Sequence, residues 1–250
     1  MKFTVLGSGC GVPNLKRNAP SNLIEVDNLK LLLDCGPGAL RQLLKIGLDY
    51  CHIDKILITH LHTDHVADIG PFLFSSKYEL KPRKKNLEIF GPKGIKRFYD
   101  KLIKLYDKVL LPESYKIIIK EKGDSNFKIG NLSVKTKRLP HTKETIGYRI
   151  KDKRGKTLVY SGDTDYCRGL IELSKDADLL ILECSFPDNI KVEGHLTPTL
   201  AAKIAKEAKA KKLILTHLYP INNKTEITKT VRRIYKKRFY VASDLLRVII

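Results

Sequence analysis

Three histidines and an aspartate fall within one six-residue stretch, His60-Leu61-His62-Thr63-Asp64-His65, in a chain of 250 residues that holds only seven histidines. The stretch follows an apolar run, Lys55-Ile56-Leu57-Ile58-Thr59, that reads as a buried strand. A strand ending in a turn crowded with imidazole and carboxylate is a metal site that lacks its remaining ligands. These are the ligand types zinc takes where no thiolates are supplied. A solvated polar turn is the bland alternative, and the clustering of so scarce a residue type weighs against it. The rest of the chain is then expected to fold so that further donors reach this turn.

The length suits a single domain, residues 1–250, with a large core. No stretch approaches the roughly 18 consecutive apolar residues of a membrane span. The first residues, Met1-Lys2-Phe3-Thr4-Val5-Leu6-Gly7, read as a strand entering a glycine turn, with no apolar segment of signal-peptide length. The cysteines, Cys10, Cys35, Cys51, Cys167 and Cys184, are odd in number and form no Cys-x-x-Cys, which suits free thiols in a reducing cytoplasm. A cytoplasmic protein without a membrane partner is the expectation. The formal net charge is +20. Such a charge attracts polyanions over long range, but a lysine-rich surface of the thermophile kind would give the same number. Charge supports a nucleic-acid substrate without establishing one.

Short apolar runs predict strands over 3–6, 22–26, 30–33, 55–59, 87–90, 117–119, 132–136, 146–150, 157–160, 179–182, 213–216 and 239–242. Helical periodicity predicts helices over 38–46, 66–78, 93–105, 168–174 and 198–210, the last opened by Thr197 at the N-cap and Pro198 at the first helical position. Strands interleaved with helices indicate a layered α/β domain. Ile56-Leu57-Ile58-Thr59-His60-Leu61 is echoed by Leu213-Ile214-Leu215-Thr216-His217-Leu218. Ligands in α/β sheets gather beyond the carboxyl ends of strands, so the echo suggests two related halves that each deliver a histidine to one cleft. Other strand ends lead to His141, to Ser161-Gly162-Asp163-Thr164-Asp165 and to Glu183-Cys184-Ser185, and His195 stands just before the Thr197 helix start.

His-x-His-x-Asp-His, a later histidine, Ser-Gly-Asp, and a histidine after an apolar strand together resemble the metallo-β-lactamase superfamily, over nearly the whole chain. Within it, Leu182-Glu183-Cys184-Ser185-Phe186 resembles the His-Glu-Ala-Thr segment of the ribonuclease Z group at the glutamate, and Gly194-His195-Leu196-Thr197 resembles its Gly-His-Ser-Thr loop. Pro13-Asn14-Leu15-Lys16-Arg17-Asn18 matches the Pro-x-Lys-x-Arg-Asn loop of the tRNA-processing members only in part, its lysine lying one place late. The resemblance implies a four-layer αββα sandwich with two metals at its edge. His60, His62 and His141 would hold one zinc; Asp64, His65 and His217 would hold the other; Asp163 would bridge them. Manganese or iron would also suit such a site. Two cations about 3.5–4 Å apart share a water, lower its pKa and clamp both oxygens of a phosphodiester displacement. Asp64 would in addition accept a proton from that water. By the same resemblance the chain would be a homodimer.

His195 and Glu183 are surplus to that ligand set. A carboxylate on one ring nitrogen raises an imidazole's pKa and fixes its tautomer, so a protonated His195 would stabilise phosphoryl oxygens or protonate the leaving oxygen. The start of the 198–210 helix would add free amides for a phosphate. Hydrolysis of a phosphodiester follows as the first expectation, with RNA among its substrates. Cleavage of tRNA 3′ ends is an alternative. The tRNA-processing members carry a long gripping arm between the positions of His141 and Asp163, whereas only 142–162 lie there in this chain, as a hairpin. A small phosphodiester or short nucleic acid is therefore favoured. Cleavage of a thioester or lactone is a further alternative, as is a module that binds metal or nucleic acid without catalysis. Asp34 is expected to orient a metal ligand, Asp165 and Ser161 to do similar work, and Arg17 and Asn18 to contact phosphate. The basic segments 81–85 and 232–238 read as solvated faces or RNA contacts. His52 reads as a surface residue, and Asp244 has no role that the sequence assigns.

Overall fold

Most central strands are covered on both faces, which is why the sequence shows them as unbroken apolar runs rather than alternating ones. The computed structural model describes residues 1–250. One sheet takes β1 (Lys2–Gly7), β2 (Ser21–Val26), β3 (Leu29–Cys35), β4 (Lys55–Leu57), β5 (Leu87–Pro92) and β6 (Ile117–Lys122) in that spatial order. The other takes β7 (Ser125–Ile129), β8 (Leu132–Arg138), β9 (Ile146–Lys151), β10 (Thr157–Tyr160), β11 (Leu179–Glu183), β12 (Lys212–Thr216) and β13 (Arg238–Val241). β14 (Arg247–Ile249) returns to the first sheet and pairs antiparallel with β1. The helices are α1 (Ala39–Lys45), α2 (Thr63–Val66), α3 (Ile69–Tyr78), α4 (Ile95–Tyr106), α5 (Arg168–Ser174), α6 (Pro198–Glu207) and α7 (Lys224–Ile234).

Side-chain parity along the strands builds the layers. Leu31 and Leu33 of β3 face the second sheet; with Phe3, Ile24, Leu57 and Phe90 they meet Val134, Tyr148, Ile150, Leu158 and Ile181. Leu32 faces the other way, onto Leu43 of α1, Phe72 of α3 and Ile95 of α4. On the second sheet Val159, Leu180, Leu182, Leu213 and Leu215 pack against α5, α6 and α7 through Leu170, Ala201, Ile204, Ile227 and Val231. Each such leucine or phenylalanine removed from water stabilises the fold by about 1.5–3 kcal/mol. Helix, sheet, sheet, helix is a four-layer αββα sandwich. No helix is long and apolar enough to cross a membrane.

Three local features depart from the sequence reading. The helix expected over 66–78 is broken after α2: the Asp68 amide donates to the carbonyl of Cys35 at the end of β3, and Pro71 lies in the first turn of the restarted α3, where its missing N–H costs nothing. α7 was not anticipated. It buries only Ile227 and Val231 and is otherwise mostly charged or threonine, although Asn223 caps it by accepting from the amides of Thr225 and Glu226. The basic segment 232–238 is therefore partly structural: Arg232 and Arg233 sit in the last turn of α7, where they complement its dipole, and Arg238 begins β13. β7 was also unforeseen, an edge strand of the second sheet with alternating exposure.

Asp244 does have a role. Its carboxylate accepts from the Ser8 amide (2.9 Å) and hydroxyl (2.7 Å), the Asn18 amide (2.7 Å) and Gln42 Nε2 (2.9 Å). It thereby ties the loop after β1 to the chain just before β14. Removing a carboxylate with four donors leaves the amides without partners. Asp244→Ala is expected to lower stability by about 2–4 kcal/mol in denaturant unfolding, with an unchanged m-value; a smaller loss than about 1 kcal/mol would mean that water replaces the carboxylate.

Candidate metal centre

Strands of both sheets end at one edge of the sandwich, and their loops carry the polar cluster. His60 and His62 follow β4, and α2 presents Asp64 and His65. His141 follows β8, Asp163 follows β10, Glu183 ends β11, and His217 follows β12. His195 lies in the loop before α6. The structure brings His60, His62, His141 and Asp163 together, then Asp64, His65 and His217, then Asp163, His195 and His217, with the donor atoms of each set within 4.8 Å of one another.

The backbone is bent to achieve this. Gly162 has φ +60°, and a Cβ there would lie 2.6 Å from Thr59, so only glycine lets the Ser161-Gly162-Asp163 turn approach the strand end that carries His60. His217 and Asp34 adopt φ +56° without being glycine, a conformation that costs about 1–2 kcal/mol each. Such strain persists where surrounding bonds over-determine it. Asp34 illustrates the point: fully buried, it accepts from the Thr59 amide (2.8 Å), the Thr59 hydroxyl (3.0 Å), His65 Nδ1 (2.8 Å) and the Tyr160 hydroxyl (2.8 Å).

Outer partners orient the imidazoles. His65 Nδ1 donates to Asp34 and His141 Nδ1 to the Gly194 carbonyl (3.0 Å). His60 Nδ1 bonds the Thr59 hydroxyl (3.0 Å) and His217 Nδ1 the Ser185 hydroxyl (2.9 Å). With the Nδ1 protons held outside, four rings aim an Nε2 lone pair inward. His62 instead offers Nδ1, 3.1 Å from His141 Nε2. Two of the inward nitrogens, on His60 and His65, and the Asp163 Oδ1 atom are buried without any hydrogen-bond partner. Orphaned buried polar atoms are costly, and three that converge mark a cation site. The spacing agrees. Ligand atoms bound tetrahedrally to zinc at ~2.0–2.1 Å stand about 3.3 Å apart. Here His217 Nε2 lies 3.2 Å from Asp163 and 3.4 Å from Asp64, His65 Nε2 is 3.4 Å from Asp163, and His60 and His141 Nε2 are 3.7 and 3.8 Å from it.

Electrostatics point the same way. Burial, reinforced by the neighbouring His65, holds the His60 pKa well below the ordinary imidazole value, and burial also lowers that of His141. Lowered values favour the neutral, ligating form of both rings, whereas at His65 burial is outweighed by the charges of Asp163 and Asp34, which raise the pKa well above the ordinary imidazole value. Burial opposes the charge on Asp163, but the facing His217 and His65 outweigh it and hold its pKa well below the ordinary carboxyl value. Asp64 and Asp163 thus gather negative charge in a water-poor pocket, which divalent cations would offset.

Beside the cluster, Glu183 is almost fully buried yet well satisfied. Oε1 accepts from the Thr164 amide (2.8 Å) and His195 Nδ1 (2.9 Å), and Oε2 from the Leu196 amide (3.0 Å) and the Ser185 hydroxyl (2.5 Å). Burial would lower the His195 pKa, but the hydrogen bond and charge of Glu183 outweigh it and raise it. Ser185, which sequence reasoning left without a role, donates to Glu183 and accepts from His217, so one carboxylate steadies both rings. Its only signal was its place two residues after Glu183.

A sequence model of the β-lactamase superfamily domain matches residues 30–218. The ribonuclease Z of Bacillus mycoides strain KBAB4 is 30% identical over 305 residues, covering 98% of each chain. The chain belongs to the β-lactamase superfamily, in its ribonuclease Z-like branch. This β-lactamase-superfamily chain is a metal-dependent hydrolase. Among solved structures, the metallo-β-lactamase fold protein YhfI of Bacillus subtilis superposes with a TM-score of 0.86 at 29% identity, covering 99% of this chain and 98% of that one. Human tRNase Z, short form, superposes with a TM-score of 0.82 at 27% identity, covering 100% and 99%. The match to the Bacillus mycoides protein spans 305 positions against the 250 residues here, so that relative carries several dozen residues without a counterpart.

The outlying residues have partners of their own. Arg17 Nη1 donates to the Ser8 hydroxyl (2.7 Å) and the Ala242 carbonyl (2.6 Å), and the Asn18 side-chain amide to the Pro37 carbonyl (2.7 Å). These donors anchor the loop, and both residues also line a pocket with Thr63 and Asp64. The start of α6 is likewise occupied: Asp188 accepts from the Thr199 amide (3.0 Å) and hydroxyl (2.9 Å). Asp165 accepts from Lys191 (2.7 Å) and the Gly194 amide (3.0 Å), which holds the loop that carries His195. The Ser161 hydroxyl bonds the backbone of Gly162 and Glu183.

Asp34→Asn keeps shape while weakening the acceptor for His65. Loss of such outer partners costs about 10–100-fold in metal affinity. That loss is expected in metal titrations of this variant, with an unchanged far-ultraviolet circular dichroism spectrum. Wild-type affinity would show that Asp34 serves the fold alone.

Proposed function

We propose that residues 1–250 form one hydrolase domain that cleaves phosphodiester bonds at a dinuclear metal centre, with zinc as the metal and RNA as the substrate class. His60, His62 and His141 would hold one ion, Asp64, His65 and His217 the other, and Asp163 would face both. The observation that carries the chemistry is the buried Glu183–His195 pair beside a ligand set that is complete without it. Bound divalent cations would supply a lowered water pKa and would neutralise charge on the phosphate.

The chain's own groups do the rest. The Glu183 carboxylate holds the Nδ1 proton of His195, so the other ring nitrogen faces the cleft, where it would donate a proton to the leaving oxygen. The Ser185 hydroxyl keeps Glu183 and His217 in register. Asp64, whose Oδ2 lies 3.4 Å from His217 Nε2, would take the proton of the attacking water. A thioester or lactone would have less use for a charge-stabilising histidine beyond the metals.

The short segment between His141 and Asp163 alone favours a small diester, since β9 and β10 with their turn fill it. Likeness along nearly the whole chain to a ribonuclease Z shifts the weight to RNA. The second reading, cleavage at the 3′ trailer of a precursor tRNA, is favoured by the likeness to human tRNase Z, short form.

His195→Ala is expected to lower kcat on bis(p-nitrophenyl) phosphate and on a trailer-bearing precursor tRNA by about 10²–10⁴-fold. Metal content should stay at the wild-type level, and chelation should abolish both activities until metal is restored. Wild-type turnover by the variant would remove His195 from the chemistry. Turnover of a thioester but of neither diester would replace the proposed substrate class.

A further inference from the structure

On the outer face of β7, β8 and β9, α5 covers only part of the surface, and β7, β8 and the end of β9 display an alternating, solvent-facing pattern. These three strands contain no aspartate or glutamate, yet they carry Lys128, Lys135, Lys137, Arg138, Arg149 and Lys151. A groove on this face is lined by Asn126, Lys128, Ser133, Lys135, Arg149 and Lys151. Lys137 and Arg138 are paired, with Asp124 and Glu144. Arg149 donates to the carbonyls of Leu173 and Lys175 at the end of α5. Lys128, Lys135 and Lys151 are exposed, and none of them makes an ion pair.

Register concentrates the charge. Lys135 stands directly opposite Arg149 on β9, and Ser133 stands between Lys128 on β7 and Lys151 on β9. Like charges opposite one another on a sheet are destabilising, and diagonal neighbours lie about 7–8 Å apart. Lys135 is diagonal to both Lys128 and Lys151. Three free ammonium groups thus share one concave surface with no counter-ion from the protein. Ser133 and Asn126 stand on the groove floor, while the neighbouring Phe127 and Val134 turn into the inter-sheet core, so the face offers no large apolar side chain that would enter a membrane.

We infer that this groove binds the sugar–phosphate backbone of the RNA substrate, away from the scissile bond. The inference rests on the RNA reading above. β8 connects the two places: Lys135 precedes His141 by six residues, at most about 20 Å at ~3.3 Å per residue. A polymer can span that distance, whereas a small diester cannot. The groove would supply on the body of the sandwich a grip for which the 142–162 interval has no room.

The test is Lys128→Gln/Lys135→Gln/Lys151→Gln, compared with the charge-matched Lys81→Gln/Lys84→Gln/Lys116→Gln at another exposed surface. Binding of a hairpin RNA with a single-stranded 3′ trailer is measured by fluorescence anisotropy against salt concentration, and turnover of bis(p-nitrophenyl) phosphate is measured in parallel. The groove variant is expected to bind about tenfold or more weakly at ~0.15 M salt, with the log K–log salt slope reduced by about 2–3, roughly one per lost phosphate contact. Its small-diester turnover should be retained, which also reports folding. Wild-type affinity and slope in the groove variant would overturn the inference, and so would an equal loss in the charge-matched variant. Failure of the phosphodiester reading is separately visible, as absent turnover by the wild-type protein whatever the binding result. Should the triple variant misfold, Lys135→Gln alone is expected to lower the slope by about one, and no change would overturn the inference equally.

Discussion

A buried carboxylate at the end of β3 governs the site edge of this molecule. Asp34 takes donors from the loop after β4, from α2 and from β10, so it joins the first sheet to the second at the place where their loops meet. A polar group at zero exposure is tolerated only when its oxygens are hydrogen-bonded, and four donors meet that condition. The same contacts set the His65 ring, and through Thr59 they set His60 as well. Fold and metal centre therefore cannot be separated energetically here: the bonds that align the ligands also seal the edge of the inter-sheet core.

Glu183 repeats this arrangement on the second sheet. It too ends a strand, is buried, and distributes its bonds over two histidines, one directly and one through Ser185. The two carboxylates serve different rings. Asp34 orients His65, whose Nε2 would face a cation, whereas Glu183 orients His195, which lies outside the seven-residue ligand set. Rigid, pre-oriented groups of this kind lower a barrier without reorganisation during reaction.

Much of the architecture was legible because burial on both faces writes itself as apolar runs. The strands ending at His60, Asp163, Glu183 and His217 could be read in this way, and their polar termini named the residues that the structure gathers. What escaped depends on contacts far apart in sequence. Asp244 looks idle until its partners Ser8, Asn18 and Gln42 are seen. The anchoring role of Arg17 is hidden in the same way, because nothing local reveals the Ala242 carbonyl. Asp188 is fifteen or fewer residues from every residue of the α6 start, yet only the folded loop shows that its carboxylate already fills that helix end. α7 failed for a different reason: two buried side chains are too few to produce a clear helical period.

The return of β14 to lie beside β1 has a consequence for synthesis. A chain made from its amino end exposes β1 first, but the outer edge of β1 stays open until residues up to Ile249 have left the ribosome. The loop after β1 waits equally long for Asp244. Most of both sheets can assemble before then, but the first sheet gains this edge strand only when β14 arrives. Pairing segments so far apart along a chain carries a large loop-closure entropy and slows folding. Until that step the six-residue β1 presents the unpaired edge, the feature that other chains most readily extend, and the three-residue β14 then replaces it at the rim with a much shorter one.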